Sequence, residues 1–176
     1  EVPQREADLT SYAARAEHLF PLQTLPKYLC AISLARADRW EEALAKVEAA
    51  TRWGFRNGYL EAECTGLLAE CAYRTGQKEK AWKAYDRYLE LRPDDWGMLN
   101  NYAYELAIEG LRLDEALEMS RRTVEAQPQN ANNLDTYGWI LHLLGRDAEA
   151  LPYLERASRI EPSNTTLREH YNAIRR

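Results

Sequence analysis

The side chains best suited to catalysis or metal binding are three histidines, which are widely separated along the chain. None of His18, His142 and His170 lies in an H-E-x-x-H or Glu-x-x-His pattern. The sequence also contains no G-x-S-x-G, no P-loop and no G-x-G-x-x-G. A lone histidine is more often a surface residue or a hydrogen-bonded core residue than a ligand. We therefore expect no catalytic, metal or cofactor site, and no enzymatic activity.

The three cysteines, Cys30, Cys64 and Cys71, form no CxxC pattern and have no neighbouring histidine. Cys64 and Cys71 would lie about 10 Å apart on a helix, which is too far for a disulfide. We expect small buried thiols in a reduced core, which favours a reducing compartment such as the cytoplasm. A periplasmic or secreted location stays open, because the chain begins Glu-Val-Pro and we expect its natural N-terminus to be missing.

Composition narrows the class of protein. The chain has 176 residues, 45% of them hydrophobic and 29% charged, as expected for one folded domain or an array of small units. Its net charge of −5 argues against a nucleic-acid binder, which needs a clustered basic face. No stretch of about 18 apolar residues occurs, so we expect no membrane insertion.

The chain repeats itself with a period of 34 to 38 residues, and three kinds of marker keep that period. Corners that begin with Asp or Gly end in alanines spaced by 38, 35 and 34 residues: Ala43, Ala81, Ala116 and Ala150. Prolines close the repeats at Pro93, Pro128 and Pro162. A small residue precedes each corner, at Ala31, Ala69, Ala103 and Gly138. We expect each small residue to face the alanine of its own corner, where a larger side chain would cost about 1–3 kcal/mol.

Apolar residues within each repeat follow helical spacing, as at Leu99, Tyr102, Ala103 and Leu106. Each repeat therefore predicts two amphipathic helices of about 13 residues joined by a short turn, in an all-α fold without strands. Polar residues before the helices predict N-caps, at Asp94 or Asp95, Asn130, and Ser163 or Asn164.

This pattern resembles the tetratricopeptide repeat (TPR). Residues 131–164 match it most fully, while residues 24–57 have Asp38 where glycine is usual and lack the closing proline. The resemblance implies an α-solenoid, a right-handed superhelix of antiparallel helix pairs within a single domain, residues 1–176. It divides the chain into a partial helix at 5–21, repeats at 24–57, 62–95, 97–130 and 131–164, and a capping helix at 165–176.

The resemblance also implies a protein–protein interaction scaffold or adaptor, because the first helices of successive TPR units line a groove that holds a partner's peptide-like segment. Aromatic rings and amides suit such a groove, since rings supply contact area and asparagine both donates to and accepts from a peptide backbone. We expect Tyr104 and Trp139 to be the best anchors. The predicted partner-binding residues are Tyr28, Tyr73, Arg74, Asn100, Asn101, Tyr104, Asp135, Thr136, Trp139 and His142.

Other interpretations stay open. The aromatic residues would otherwise cover the surface between repeats or meet neighbouring domains. The alternative function is a structural or self-associating module of a longer chain, in which the ends of the array, rather than the groove, make the contacts. TPR proteins that grip acidic C-termini do so with lysines and asparagines of three consecutive units, a pattern on which only Asn101 falls, so we expect no such clamp.

The connection at residues 51–60 is the most irregular. One interpretation is a helix end with Gly54 in a left-handed conformation and the aromatic residues Trp53 and Phe55 folded onto the core. The alternative is an aromatic partner site that includes the Asn57-Gly58 turn.

Overall fold

The computed structural model describes residues 2–20, 22–52, 54–55 and 58–175, with side chains from residue 10 onward. In those ranges it contains ten helices and no strand. The helices are α1 Val2–Leu19, α2 Thr24–Arg36, α3 Trp40–Thr51, α4 Gly58–Arg74, α5 Lys78–Leu91, α6 Trp96–Ile108, α7 Leu113–Ala126, α8 Ala131–Leu143, α9 Asp147–Ile160 and α10 Thr165–Ile174.

Contacts divide the chain into two compact units: unit 1, Glu1–Pro93, and unit 2, Asp94–Arg176. In unit 1, α1 packs on α2, which pairs with α3, and α3 packs on α4, which pairs with α5. In unit 2, α6 pairs with α7 and α8 with α9, while α10 packs on α9 and α8. The assignment of four repeats to a single domain stays a prediction.

The small residues that precede the corners, and the alanines that end them, are buried. The seven alanines are fully buried, and Gly138 is buried as well. A Cβ atom on Gly138 would lie 2.7 Å from Leu154 Cγ and 3.2 Å from the carbonyl oxygen of Ala150. Gly138 therefore faces Ala150 across the α8–α9 pair, as the period predicts.

Three of the helices of unit 2 begin at the predicted caps. The Asp95 carboxylate accepts a hydrogen bond from the Met98 amide at 3.0 Å. Asn130 Oδ1 accepts from the amides of Asn132 and Asn133 at 3.0 and 3.2 Å. Asn164 Oδ1 accepts from the Leu167 amide at 3.5 Å. Asp95 and Asn164, rather than Asp94 and Ser163, are thus the capping side chains of α6 and α10.

The corners share one backbone conformation. Asp38, Gly76, Gly110 and Gly145 have φ angles of 55°, 76°, 66° and 73°, in the left-handed region that glycine adopts most readily. Asp38 adopts it without being glycine, because aspartate is among the few other residues that tolerate it. The first corner therefore keeps the geometry of the others despite its different residue.

The cysteines are free and buried, which confirms their interpretation as core residues. Burial raises the pKa of the Cys64 and Cys71 thiols to about 12. Burial, together with a hydrogen bond to Glu17, raises that of Cys30 to about 11. The three thiols are therefore protonated and unreactive at neutral pH.

The irregular connection after α3 contains the left-handed glycine that was predicted. Gly54 has a φ of 73°, and its amide donates to the Thr51 carbonyl at 3.2 Å. Phe55 is half-buried and lines a cleft of unit 1. Trp53 and Asn57 lie outside the described residues.

Candidate functional site

The first helices of the helix pairs in unit 2 lie side by side, since α8 contacts both α6 and α10. A cleft of about 440 Å³ runs along them. Five of the ten predicted partner-binding residues line it: Asn100, Asn101, Tyr104, Asp135 and Thr136. The remaining lining residues are Gly97, Asn130, Asn132, Asn133, Asn164, Thr166 and Leu167.

Part of this asparagine-rich lining has a structural role. Asn130 and Asn164 use their side-chain oxygens to cap α8 and α10. The side-chain amide of Asn133 donates to the Thr123 carbonyl at 3.2 Å and to Gln127 Oε1 at 3.1 Å, which ties α8 to α7. These three asparagines fix the positions of the helices, so the Asn100 and Asn101 side chains are better placed to meet a ligand.

Two oxygen atoms in the cleft lack hydrogen-bond donors. Asn100 and Asp135 are only 8% and 4% exposed, and Oδ1 of each is buried without a partner. The second oxygen of Asp135 is paired with His170 Nδ1 at 2.8 Å. An unpaired buried acceptor costs about 1–3 kcal/mol, so a ligand that supplies donors here recovers that free energy.

His170 on α10 covers the ring of Trp139. The two rings stack with centroids 4.0 Å apart and planes 14° from parallel. The His142 ring lies 5.0 Å from Trp139 on its own helix, and Tyr104 lies 6.4 Å from His170. Tyr104 and Trp139 are therefore linked through the His170 ring, and neither Trp139 nor His142 is among the residues that line the cleft in the described part of the chain.

Sequence reasoning missed His170, which it treated as an isolated surface or core residue. Only a partial signal was available. Asn100 and Asp135 are each the fifth residue of their helix, whereas His170 is the sixth residue of α10, one position past the equivalent place. The core contacts of Leu167 with Ala131 and Leu134 hold α10 in the place that this pairing requires.

In unit 1, the predicted partner-binding residue Tyr28 holds two first helices together. Its hydroxyl donates to Glu63 Oε2 on α4 at 3.0 Å. Burial and the Glu63 carboxylate raise the pKa of Tyr28 well above its usual value. The Tyr28 hydroxyl therefore connects α2 to α4.

The other two predicted residues of unit 1 pack against second helices. The Tyr73 ring lies 5.6 Å from that of Trp82, with the Lys78 ammonium 3.5 Å from its centroid. The Arg74 guanidinium lies 5.1 Å from the ring of Trp40. Tyr28, Tyr73 and Arg74 are not among the described residues that line the 920 Å³ cleft of unit 1.

Unit 1 contains a different cleft of about 920 Å³. Thr51 and Phe55, from the connection for which an aromatic partner site was the alternative interpretation, are among its lining residues. Phe55, Leu68 and Ala84 supply apolar surface, and basic side chains of α5 surround them. Some of these charges are paired, since Lys80 bonds to Glu48 and Arg87 Nη2 lies 2.6 Å from Glu61 Oε1. The basic lining residues are Lys78, Lys80, Lys83 and Arg87.

Two further features concern metal binding and membrane insertion. Within the described ranges, no three His, Cys, Asp or Glu side chains form a group that could hold a metal ion. No helix in the described part of the chain is both long and apolar enough to cross a membrane.

Two family models, both of the tetratricopeptide repeat, match residues 28–95 and 131–164. Together they match more than half of the chain. The chain belongs to the tetratricopeptide repeat family. The family models therefore recognise the repeats at residues 28–95 and 131–164 independently of the spacing of small residues.

The curated relatives of this TPR chain are much longer proteins. Human protein O-mannosyl-transferase TMTC1 is 30% identical over 112 residues, which cover 61% of this chain and 13% of that protein. Protein FlbA of Caulobacter vibrioides is 32% identical over 97 residues, covering 55% of this chain and 16% of FlbA. The chain thus spans less than a fifth of the length of these relatives.

Solved structures share the fold. YrrB, described as a TPR protein with an unusual peptide-binding site, has a TM-score of 0.80 and 23% identity, over 98% of this chain and 86% of YrrB. MamA from Desulfovibrio magneticus RS-1 has a TM-score of 0.75 and 16% identity, over 86% of this chain and 82% of that chain. The predicted all-α solenoid class is confirmed, and the TPR chain is a protein-interaction repeat module.

Proposed function

We propose that this TPR chain is a scaffold or adaptor that binds an extended, peptide-like segment of a partner protein in the cleft of unit 2. The observation that carries the proposal is the pair of buried oxygens without donors on Asn100 and Asp135, two side chains that line an amide-rich cleft. A peptide offers the donors these oxygens need, while Asn101 both donates to and accepts from its backbone. The description of YrrB as a TPR protein with an unusual peptide-binding site supports a peptide as the occupant.

The binding free energy in this proposal comes from two sources. The half-buried Tyr104 ring supplies apolar contact area at the edge of the cleft. The amides and the Asp135 carboxylate fix the register of the segment through hydrogen bonds. Trp139 contributes indirectly, because its ring stacks on His170, which in turn bonds to Asp135.

Selection of 12-residue peptides from a random phage library on the purified chain tests the proposal. We expect the double substitution Asn101→Ala and Tyr104→Ala to weaken every selected peptide at least tenfold in calorimetric titration, because it removes a backbone contact and the ring. The matched control, Glu118→Ala with Arg121→Ala, removes an exposed ion pair of α7 and should leave affinity unchanged. Undiminished binding by the cleft variant, with unchanged helicity, would contradict the proposal.

A second candidate function has its own supporting observation. Exposed apolar side chains occur in the second half of α1, in the connection and at the start of α2: Tyr12, Leu19, Phe20, Leu22 and Leu25 are each at least 51% exposed. Such a patch is typical of a surface that contacts another protein or a second copy of the chain. In this alternative, the module associates through its N-terminal end rather than through the cleft.

Light scattering over a concentration series separates the two functions. Association through the N-terminal patch should give a mass that grows with concentration and returns to that of a monomer in the variant Phe20→Ser with Leu22→Ser. The cleft variant Asn101→Ala with Tyr104→Ala serves as its control and should associate as the wild type does. A monomer at every concentration would remove self-association from consideration.

A further inference from the structure

Asn100 and Asp135 occupy the same position on the successive first helices α6 and α8, and both line the cleft. His170 on α10 bonds to Asp135. The two lining side chains are more than nine-tenths buried, yet Oδ1 of each accepts no hydrogen bond. His170 Nδ1 forms a hydrogen bond with the other oxygen of Asp135, Oδ2. Two side chains that line the cleft therefore carry acceptor oxygens that lack donors.

The charge of the cleft selects among possible donors. Among the lining residues that the structure describes, Asp135 is the only one with a formal charge, and none is Lys or Arg. Burial and the negative charge of Asp135 both raise the pKa of Tyr104, which places its phenol within the field of that carboxylate. A cation gains from this field, whereas an anion is repelled.

The helix N-termini beside the cleft do not offset this preference for a cation. The first turns of α6, α8 and α10 also line the cleft, and their N-termini would attract anions. The Asp95, Asn130 and Asn164 side chains already accept hydrogen bonds from amides of those turns. Among the described residues that line the cleft, the buried side-chain atoms without a hydrogen-bond partner are both acceptors.

We infer that Asn100 and Asp135 form a subsite for one basic side chain, Lys or Arg, of the bound segment. An ammonium carries three donors and a guanidinium five, so one head group can donate to both oxygens. The aliphatic stem of the side chain lies against Tyr104, whose ring face also attracts a cation. The inference rests on the proposed function, since the basic residue belongs to the peptide in the cleft.

The experiment uses peptides selected from the 12-residue library. We expect them to carry Lys or Arg at one fixed position. Exchange of that Lys for norleucine, or of that Arg for citrulline, removes the charge with little change of shape and should weaken binding at least tenfold. On the variant Asp135→Asn, the same exchange should change affinity less than twofold, because the charged partner is gone.

Two further variants distinguish loss of the Asp135 charge from a general loss of structure in Asp135→Asn. Asp94→Asn removes an exposed carboxylate of the same unit that lies outside the cleft, and it should keep the tenfold preference. Asn100→Asp adds a second carboxylate to the subsite and should increase the preference for Lys over norleucine at least threefold. A loss of folding does not produce such a gain.

The possible outcomes separate the two proposals. Peptides that bind in the cleft without preferring a basic side chain would overturn the subsite and leave the proposed function standing. So would a preference that persists in Asp135→Asn or disappears in Asp94→Asn. A library that yields no binding peptide would overturn the proposed function and the subsite with it.

Discussion

Replacement of Gly138 by leucine is expected to lower the free energy of unfolding by about 3 kcal/mol or more. Even the Cβ of alanine would lie 2.7 Å from Leu154 Cγ and 3.2 Å from the Ala150 carbonyl oxygen. Leu154 is fully buried and has little room to move, so α8 and α9 must separate. We expect Gly138→Ala to cost less than leucine, about 1–3 kcal/mol before the better helix propensity of alanine is counted.

Urea unfolding followed by circular dichroism measures both changes. The control is Gly97→Ala on α6, where the added Cβ would meet only Asp95 Oδ1, at an ordinary 3.5 Å. That substitution should be neutral or stabilise by up to about 1 kcal/mol, because alanine is the better helix former. An unfolding midpoint for Gly138→Leu equal to that of the wild type would contradict the close packing of the helix pair.

Replacement of His170 by alanine is expected to lower the free energy of unfolding by about 2–3 kcal/mol. It removes the stack on Trp139 and leaves the Asp135 carboxylate buried without its 2.8 Å partner. The loss should begin at α10, because that helix carries His170. Hydrogen exchange of the α10 amides, read together with urea unfolding, measures it.

His142→Ala is the matched control for this second change. His142 also lies beside Trp139, but its hydrogen-bond partner Asp147 is exposed, so the substitution should cost less than about 0.5 kcal/mol. Equal effects of the two histidine substitutions would contradict the structural role assigned to His170. Because His170→Ala frees the second oxygen of Asp135, it should also strengthen the binding of Lys-containing peptides while it weakens the fold.

The fold could be predicted in detail from local rules. The small residues fix where helices cross, since only Gly or Ala fits a close approach. The left-handed corners follow from glycine, and from aspartate at position 38, because few other residues tolerate that backbone conformation. Capping needed a choice between neighbouring polar residues, and the structure selects Asp95 and Asn164.

The candidate site could be predicted only in part. Helical spacing identifies the face that a residue occupies, which was enough to bring Asn100, Asn101 and Asp135 to one cleft. It does not determine how a long side chain turns, so it could not show that Tyr73 and Arg74 pack against second-helix tryptophans.

The pairing of His170 with Asp135 does not follow from the comparison of equivalent positions across repeats. Counted from the caps Asp95, Asn130 and Asn164, Asn100 and Asp135 lie at the fifth position, whereas His170 lies at the sixth. Equivalent positions of neighbouring repeats face one another, so the repeat predicts that Asn100 and Asp135 are neighbours but does not predict the bond to His170.

A crystal structure of the chain with its tightest selected peptide tests the central claim most directly. The peptide should lie along α6, α8 and α10, with donor atoms within about 3.2 Å of Asn100 Oδ1 and Asp135 Oδ1. A peptide seated elsewhere, for example against Phe55 in unit 1, with both oxygens still lacking donors, would contradict the account.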